Sequence, residues 1–252
     1  VAALVNLLYC ELLKLKRSKM LLISFLGALV TPSMMIADGI KIHYSKPDTI
    51  ITFADLYDSC SLYTMMLFGL IVYSVIAAYL FSREYTEKTL KTILAVPVSK
   101  LTFIISKFIM LFIWIMTLTL ISWASMFVLA ALFGAAFEIA EFSTVVAVKY
   151  LGEMVLGGIF MFLTITPFAF LAIWTKGLVV PIITAAAIAM GNVALSNEAL
   201  GALYPWTASL MLIRGEITQT GYPYLLVITL IAIVSILGFL ASIIYFQRED
   251  IK

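Results

Sequence analysis

The chain has 252 residues, 63% of them hydrophobic and 12% charged, with a net charge of +2. A soluble domain is usually about 25% charged, so the composition excludes a water-soluble globular protein and specifies an integral membrane one. The near-neutral balance carries no footprint for nucleic acid.

Residues 1–19 are too charged, and their apolar run too short, for a cleavable signal peptide. Leu4, Leu8, Leu12 and Leu15 form a helical stripe with Leu7 beside it, and Asn6, Glu11, Lys14, Lys16, Arg17 and Lys19 are polar. This pattern predicts an amphipathic elbow helix lying in the membrane interface. Residues 20–252 read as one all-α domain of six transmembrane helices, with spans expected at 20–37, 61–81, 108–134, 150–174, 178–195 and 223–246. Between the first two spans, 38–60 reads as a polar loop with Lys41, His43, Lys46, Pro47, Asp48, Asp55 and Asp58. His43, the only histidine, is expected at the loop surface.

Residues 82–107 are a charged island between strong apolar runs. Arg83, Glu84, Glu87, Lys88 and Lys91 crowd together there. A single Lys or Arg at the bilayer centre costs roughly 2.5–3.5 kcal/mol, so the cluster is expected in water. Glu84 with Lys88, and Glu87 with Lys91, are i,i+4 pairs in the favoured order, each worth about 0.2–0.5 kcal/mol. Tyr85, Leu90, Ile93 and Leu94 supply apolar contacts, and Pro97 ends the helix. A short water-facing helix held between two spans is shaped to be pushed by another protein.

The loop at 135–149 carries Glu138 and Glu141. In the fourth span Pro167 predicts a kink, with Thr164 and Thr166 placed to satisfy freed backbone groups. Glu153 lies near the start of that span, either as a contact for a cationic substrate or snorkelling to the headgroups. The fifth span is rich in small residues, and Ala187 and Gly191 form a small-xxx-small pair. The apolar stretch 199–213 is broken at Gly201 and Pro205 and is too short to cross, which suits a re-entrant or surface hairpin. Asp48, Asp55, Asp58, Glu138, Glu141, Glu198 and Glu216 would make the adjoining face acidic, attractive to cationic peptides or simply solvated.

Six spans put both termini on one side. Of the sixteen Lys and Arg, all but Lys41, Lys46, Lys149 and Arg214 fall on that side, and the positive-inside rule makes it cytoplasmic. Cys10 and Cys60 then lie on opposite faces, so no intrachain disulfide is expected. There is no P-loop, no H-E-x-x-H and no G-x-S-x-G. The expectation is therefore a non-enzymatic chain with no cofactor or metal of its own. Few ionisable residues fall at membrane depth, which argues against an ion-coupled carrier.

The island, REYTEKTLKTILAVPVSKLTFIISK, resembles the first cytoplasmic loop of ABC type-2 exporter permeases. The matching positions are Glu84, Glu87, Thr89, Leu90, Pro97, Val98, Ser99, Lys100 and Lys107. Glu11 to Lys19 is similar to the opening elbow helix of that family. The resemblance implies one half of a pore, paired with a second permease copy or a paralogous permease. Two ATP-binding subunits, carrying ATP and magnesium, would dock below. Arg83, Glu84, Glu87, Lys88, Leu90, Lys91, Leu94 and Pro97 would couple to the ATPase, and Ala187 and Gly191 would lie at the dimer seam. It also implies a bacterial plasma-membrane location and short re-entrant helices before the last span. Within the family, the chain looks like permeases for self-protection against bacitracin or lantibiotics. Permeases for an ion or a drug, and a non-transporting scaffold or sensor subunit, stay open as alternatives.

Overall fold

The computed structural model describes residues 2–46, 49–90, 99–137 and 143–249. Every regular element among them is helical. In chain order these are α1 (Ala2–Lys16), α2 (Lys19–Ser45), α3 (Phe53–Tyr63), a π-helical turn (Thr64–Phe68) and α4 (Gly69–Thr86). Then come α5 (Lys100–Phe137), α6 (Thr144–Thr175), α7 (Val179–Leu195), a 3-10 turn (Ala199–Leu203), α8 (Pro205–Arg214), α9 (Ile217–Thr220) and α10 (Tyr224–Arg248).

Five of these runs are long and apolar enough to cross a membrane: α2, the continuous run from α3 to α4, α5, α6 and α10. The sixth expected span, α7, has 17 residues. At about 1.5 Å per residue it is near 25 Å long, just short of a hydrocarbon core of about 30 Å.

The polar loop expected at 38–60 is mostly helix. α2 runs on to Ser45 and carries His43 in its last turn, and α3 begins at Phe53. Two local causes extend the helices. Thr52 and Asp55 form a reciprocal capping box, each side chain bonding the other's backbone N–H at 3.1 Å. Met35, Phe53, Leu56 and Tyr57 then pack into an apolar cluster with Met126, Phe133 and Tyr150. Burial of that surface outweighs the scattered charges, which stay on the outer faces. Pro47, Asp48, Glu138 and Glu141 lie outside the described residues.

α6 is the central helix, packed against α3, α4, α5, α7, α8 and α10. Pro167 removes the N–H that the Leu163 carbonyl would accept. The Thr166 hydroxyl lies 3.0 Å from that carbonyl and 3.0 Å from the carbonyl of Ser235 on α10. At this point α10 presents Gly238, where a Cβ would lie 2.6 Å from the Pro167 nitrogen. Only glycine lets the two backbones approach so closely. Gly238→Val is expected to force α10 away from α6 and to lower stability by about 1–3 kcal/mol, read as a drop in Tm in detergent. An unchanged Tm would mean that this approach is not part of the folded bundle.

The π turn has its own partner. A π turn is rare inside an α-helix and marks a place where the regular backbone pattern is interrupted. Asn192 of α7, fully buried, donates its side-chain amide to the Met66 carbonyl at 2.9 Å. Its Oδ1 accepts from the Thr207 hydroxyl of α8 at 3.1 Å.

Candidate functional site

At one end of the bundle the C-terminus of α4 meets α1 and the first turns of α5. The sequence assigns this region to water, because it holds Arg83 and Glu84. The structure corrects that. Arg83 and Glu84 are 3% and 1% exposed, and Glu11 and Lys107 are 2% and 1% exposed.

The four groups bury one another. Lys107 Nζ donates to Glu84 Oε2 and to the Leu80 carbonyl, each at 2.6 Å. Arg83 donates to Glu11 at 3.2 Å and lies 3.5 Å from Glu84. Lys14, half-buried, closes the network on Glu11 at 3.1 Å and on Glu84 at 3.3 Å. The Arg83 guanidinium also sits over the Tyr79 ring, 5.4 Å from its centre. Three cations thus share two carboxylates. Burial of each charge is tolerated because each has an opposite charge in contact, and the geometry must hold for that to remain true.

This arrangement replaces the predicted i,i+4 pair between Glu84 and Lys88. α4 ends at Thr86, and Lys88 adopts a left-handed conformation with φ 55°. Glu84 therefore turns inward to Lys107. Among the expected coupling residues, Arg83, Glu84 and Leu90 are buried, while Glu87 and Lys88 are exposed. Lys91, Leu94 and Pro97 lie outside the described residues.

The elbow stripe is also redrawn. α1 turns Glu11 and Leu15 inward, with Leu4, Leu7 and Leu8 partly covered. Leu12, expected on the same stripe, is 51% exposed beside Val5 and Tyr9. Glu11 lies three residues beyond Leu8 and four before Leu15, on one helical face. A carboxylate within an apolar stripe is the signal that would have marked it as a buried partner. Lys107, set between Phe103, Ile104, Phe108 and Leu111, carries the same signal.

A second clamp sits at the same end. Glu249, just past α10, accepts from Lys176 at 2.6 Å and from the Tyr85 hydroxyl. Its carbonyl accepts from Lys100 at 2.8 Å. The hydrogen bond to Glu249 raises the pKa of Lys176 above its ordinary value. The two clamps hold together α4, α5, α10 and the turn from α6 to α7 at the end of the bundle where α4 stops and α5 starts.

The other expected site residues are scattered. Glu153 pairs with Lys149 one turn back, at 3.6 Å. Arg214 binds Asp58 at 2.8 Å and lies 3.8 Å from Glu216, so part of the acidic face is neutralised internally. Ala187 is exposed on α7. Gly191 instead faces Tyr204 of its own chain, whose hydroxyl oxygen would lie 2.8 Å from an added Cβ. Cys10 and Cys60 are free, the first exposed on α1 and the second buried in α3. The described residues hold no cluster of His, Cys, Asp or Glu with metal-ligand geometry.

Comparison with known proteins agrees with this architecture. Residues 7–192 match the family described as ABC-2 family transporter protein. The bacitracin transport permease protein BCRB of Bacillus licheniformis is 36% identical over 205 residues, covering 81% of this chain and 96% of that protein. The matched region begins within α1 and takes in the clamped ends of α4 and α5. A multi-pass bundle whose buried charges gather at one end, matched over most of its length by these sequences, is a membrane permease belonging to the ABC-2 transporter family.

Proposed function

We propose that this chain is the membrane-spanning subunit of an ATP-driven exporter that removes peptide antibiotics of the bacitracin or lantibiotic type, or similar amphiphiles, from the membrane. ATP and magnesium would be bound by a separate ABC subunit. A second permease, identical or related, would complete the pore against the exposed apolar faces of α2 and α7. The end that carries both clamps would face the cytoplasm, with both chain termini, in a bacterial plasma membrane. On this reading α7 is the sixth span, thin enough to need local adjustment of the bilayer. α1 is then an interfacial elbow, and the Ala199–Leu203 turn with α8 is a re-entrant hairpin.

The observation that carries this reading is the buried network of Glu11, Lys14, Arg83, Glu84 and Lys107. It bonds the C-terminal turn of α4 to the elbow and to α5, so a push on residues 87–99 would move three helices together. Division of labour follows from burial. The exposed Glu87 and Lys88 would meet the ATPase, with Lys91, Leu94 and Pro97 in the same segment. Arg83, Glu84 and Leu90 would transmit the force from inside. Glu153, near the opposite end, would exchange its pairing with Lys149 for a contact with cationic substrate.

Co-expression with its ATPase in a bacitracin-sensitive bacterium is expected to raise the inhibitory concentration of bacitracin, and neither subunit alone should do so. Resistance conferred by this chain without an ATPase would overturn the coupling mechanism, and no resistance to any membrane-active peptide would overturn the substrate class. Glu87→Lys is expected to keep the protein level and Tm of the parent while reducing bacitracin-stimulated ATP hydrolysis by about tenfold or more, the effect of a like charge set in a specific interface. Parental stimulation in that variant would remove Glu87 from the contact.

A further inference from the structure

Beside the buried network, on its outer side, lies an open cleft of about 620 Å³ lined by Lys14, Arg17, Ser18, Tyr79, Arg83, Glu87 and Thr89. It lies between the C-terminal end of α1 and the last two turns of α4. From it we infer that this cleft is a binding site for a phosphate group carried by an anionic phospholipid, independent of the transported substrate.

Three observations converge on that chemistry. The first is charge. Lys14, Arg17, Arg83 and Lys107 stand against Glu11, Glu84 and Glu87, leaving one positive charge over, which one phosphodiester neutralises. Arg17 is exposed and, among the described residues, has no ion pair. Its guanidinium can offer a bidentate fork to phosphate oxygens.

The second is a pre-set donor. The Ser18 oxygen accepts from Tyr79 Oη at 2.8 Å and from the Met20 N–H at 3.0 Å. With its acceptor capacity used twice, the Ser18 hydroxyl proton is free to donate, and the residue lines the cleft. Thr89 adds a second hydroxyl to the wall.

The third is position. The outward face of α1 presents Val5, Tyr9 and Leu12, each more than half exposed. An amphipathic helix with such a face sinks to the boundary of headgroups and acyl chains. That depth sets Lys14 and Arg17 at the phosphate layer and leaves apolar surface beside the cleft for the acyl chains. A dissolved phosphate would use only the polar wall.

The test uses the whole chain in nanodiscs of dioleoylphosphatidylglycerol and dioleoylphosphatidylcholine in equal amounts, released into detergent and read by native mass spectrometry. One phosphatidylglycerol per chain is expected to be retained in preference to phosphatidylcholine. Arg17→Gln should weaken that preference about fivefold, the effect of one basic residue near an anionic surface. Lys16→Gln, which removes an equal charge at an exposed position outside the cleft, should leave it unchanged. Ser18→Ala should reduce it with no change in bacitracin transport by the wild-type ATPase complex in phosphatidylcholine alone. Equal retention of the two lipids, or equal loss in both charge variants, would overturn the site. Displacement of the bound lipid by millimolar inorganic phosphate would overturn the lipid assignment, naming the free anion as ligand.

Discussion

Glu84→Ala is expected to be the most damaging single substitution at the basic end of the bundle. Glu84 accepts from Lys107 and Lys14 and lies against Arg83. Removing its carboxylate leaves three cations with Glu11 as their only acidic partner in the network. Lys107 loses the 2.6 Å partner that offsets its burial and keeps the Leu80 carbonyl and a longer, 3.7 Å pairing with Glu11. Breaking one side of a buried pair costs about 3–5 kcal/mol, because the charge left behind is uncompensated. That exceeds the effect of a surface pair, which is about 0–1 kcal/mol, and it is a large part of a stability of about 5–15 kcal/mol. The expected result is a large drop in Tm in detergent, or loss of extractable protein. A second change discriminates the cause. Lys107→Met with Glu84→Leu removes both members of the closest pair and replaces them with apolar groups of similar size. If uncompensated charge is the cause, the double variant should recover part of the loss, as replaced buried pairs often do. If Glu84→Ala alone is as stable as the parent, the network does not hold the fold and the force-transmission reading loses its basis. Glu87→Lys makes the contrast, since it lies outside the buried ion-pair network and should weaken ATPase coupling while leaving Tm at the parental value.

The contrast between Glu84 and Glu87 also marks how far sequence reasoning reaches in this chain. Composition and apolar run length are enough for an all-helical membrane bundle, because every backbone polar group in lipid must be satisfied within its own segment. Helix ends were less legible. α2 and α3 reach well into the expected loop because the apolar cluster of Phe53, Leu56 and Tyr57 with Phe133 forms only when distant helices meet. The charged island was recognisable as a motif, yet its inward and outward residues were not separable by hydropathy. Glu84 and Glu87 look alike in sequence; what distinguishes them is that Lys14 and Lys107 stand beside the first. The clamp on Glu249 depends on three separate segments, Tyr85, Lys100 and Lys176, and had no local signal at all. The π turn was equally silent, since Thr64–Phe68 reads as ordinary apolar helix and its tie to the amide of Asn192 spans residues far apart in sequence.

That amide carries the second large expected effect. Asn192→Ala removes the donor to the Met66 carbonyl and the acceptor for Thr207 in one step. The carbonyl then loses that donor, in a site with no exposure at Asn192. A buried polar group left unsatisfied costs about 1–3 kcal/mol, tempered in membranes because interhelical hydrogen bonds there are often worth only about 0.6–2 kcal/mol. Asn192→Ala should therefore lower Tm measurably, and Thr207→Val should do so by less, since it removes one bond and leaves the carbonyl paired. The two residues touch, so the double variant should cost less than the sum of the single ones. Function should fall further than stability. Asn192 ties α7 and α8 to the π turn, and the π turn leads straight into α4 and the coupling segment. Losing the tie separates the far hairpin from the helix that carries the push. The expected result is a folded variant with near-parental basal ATP hydrolysis and weakened stimulation by bacitracin. If stimulation is retained in full while Tm drops, Asn192 is a packing residue alone, and the link between the two ends of the bundle must run through α6 instead.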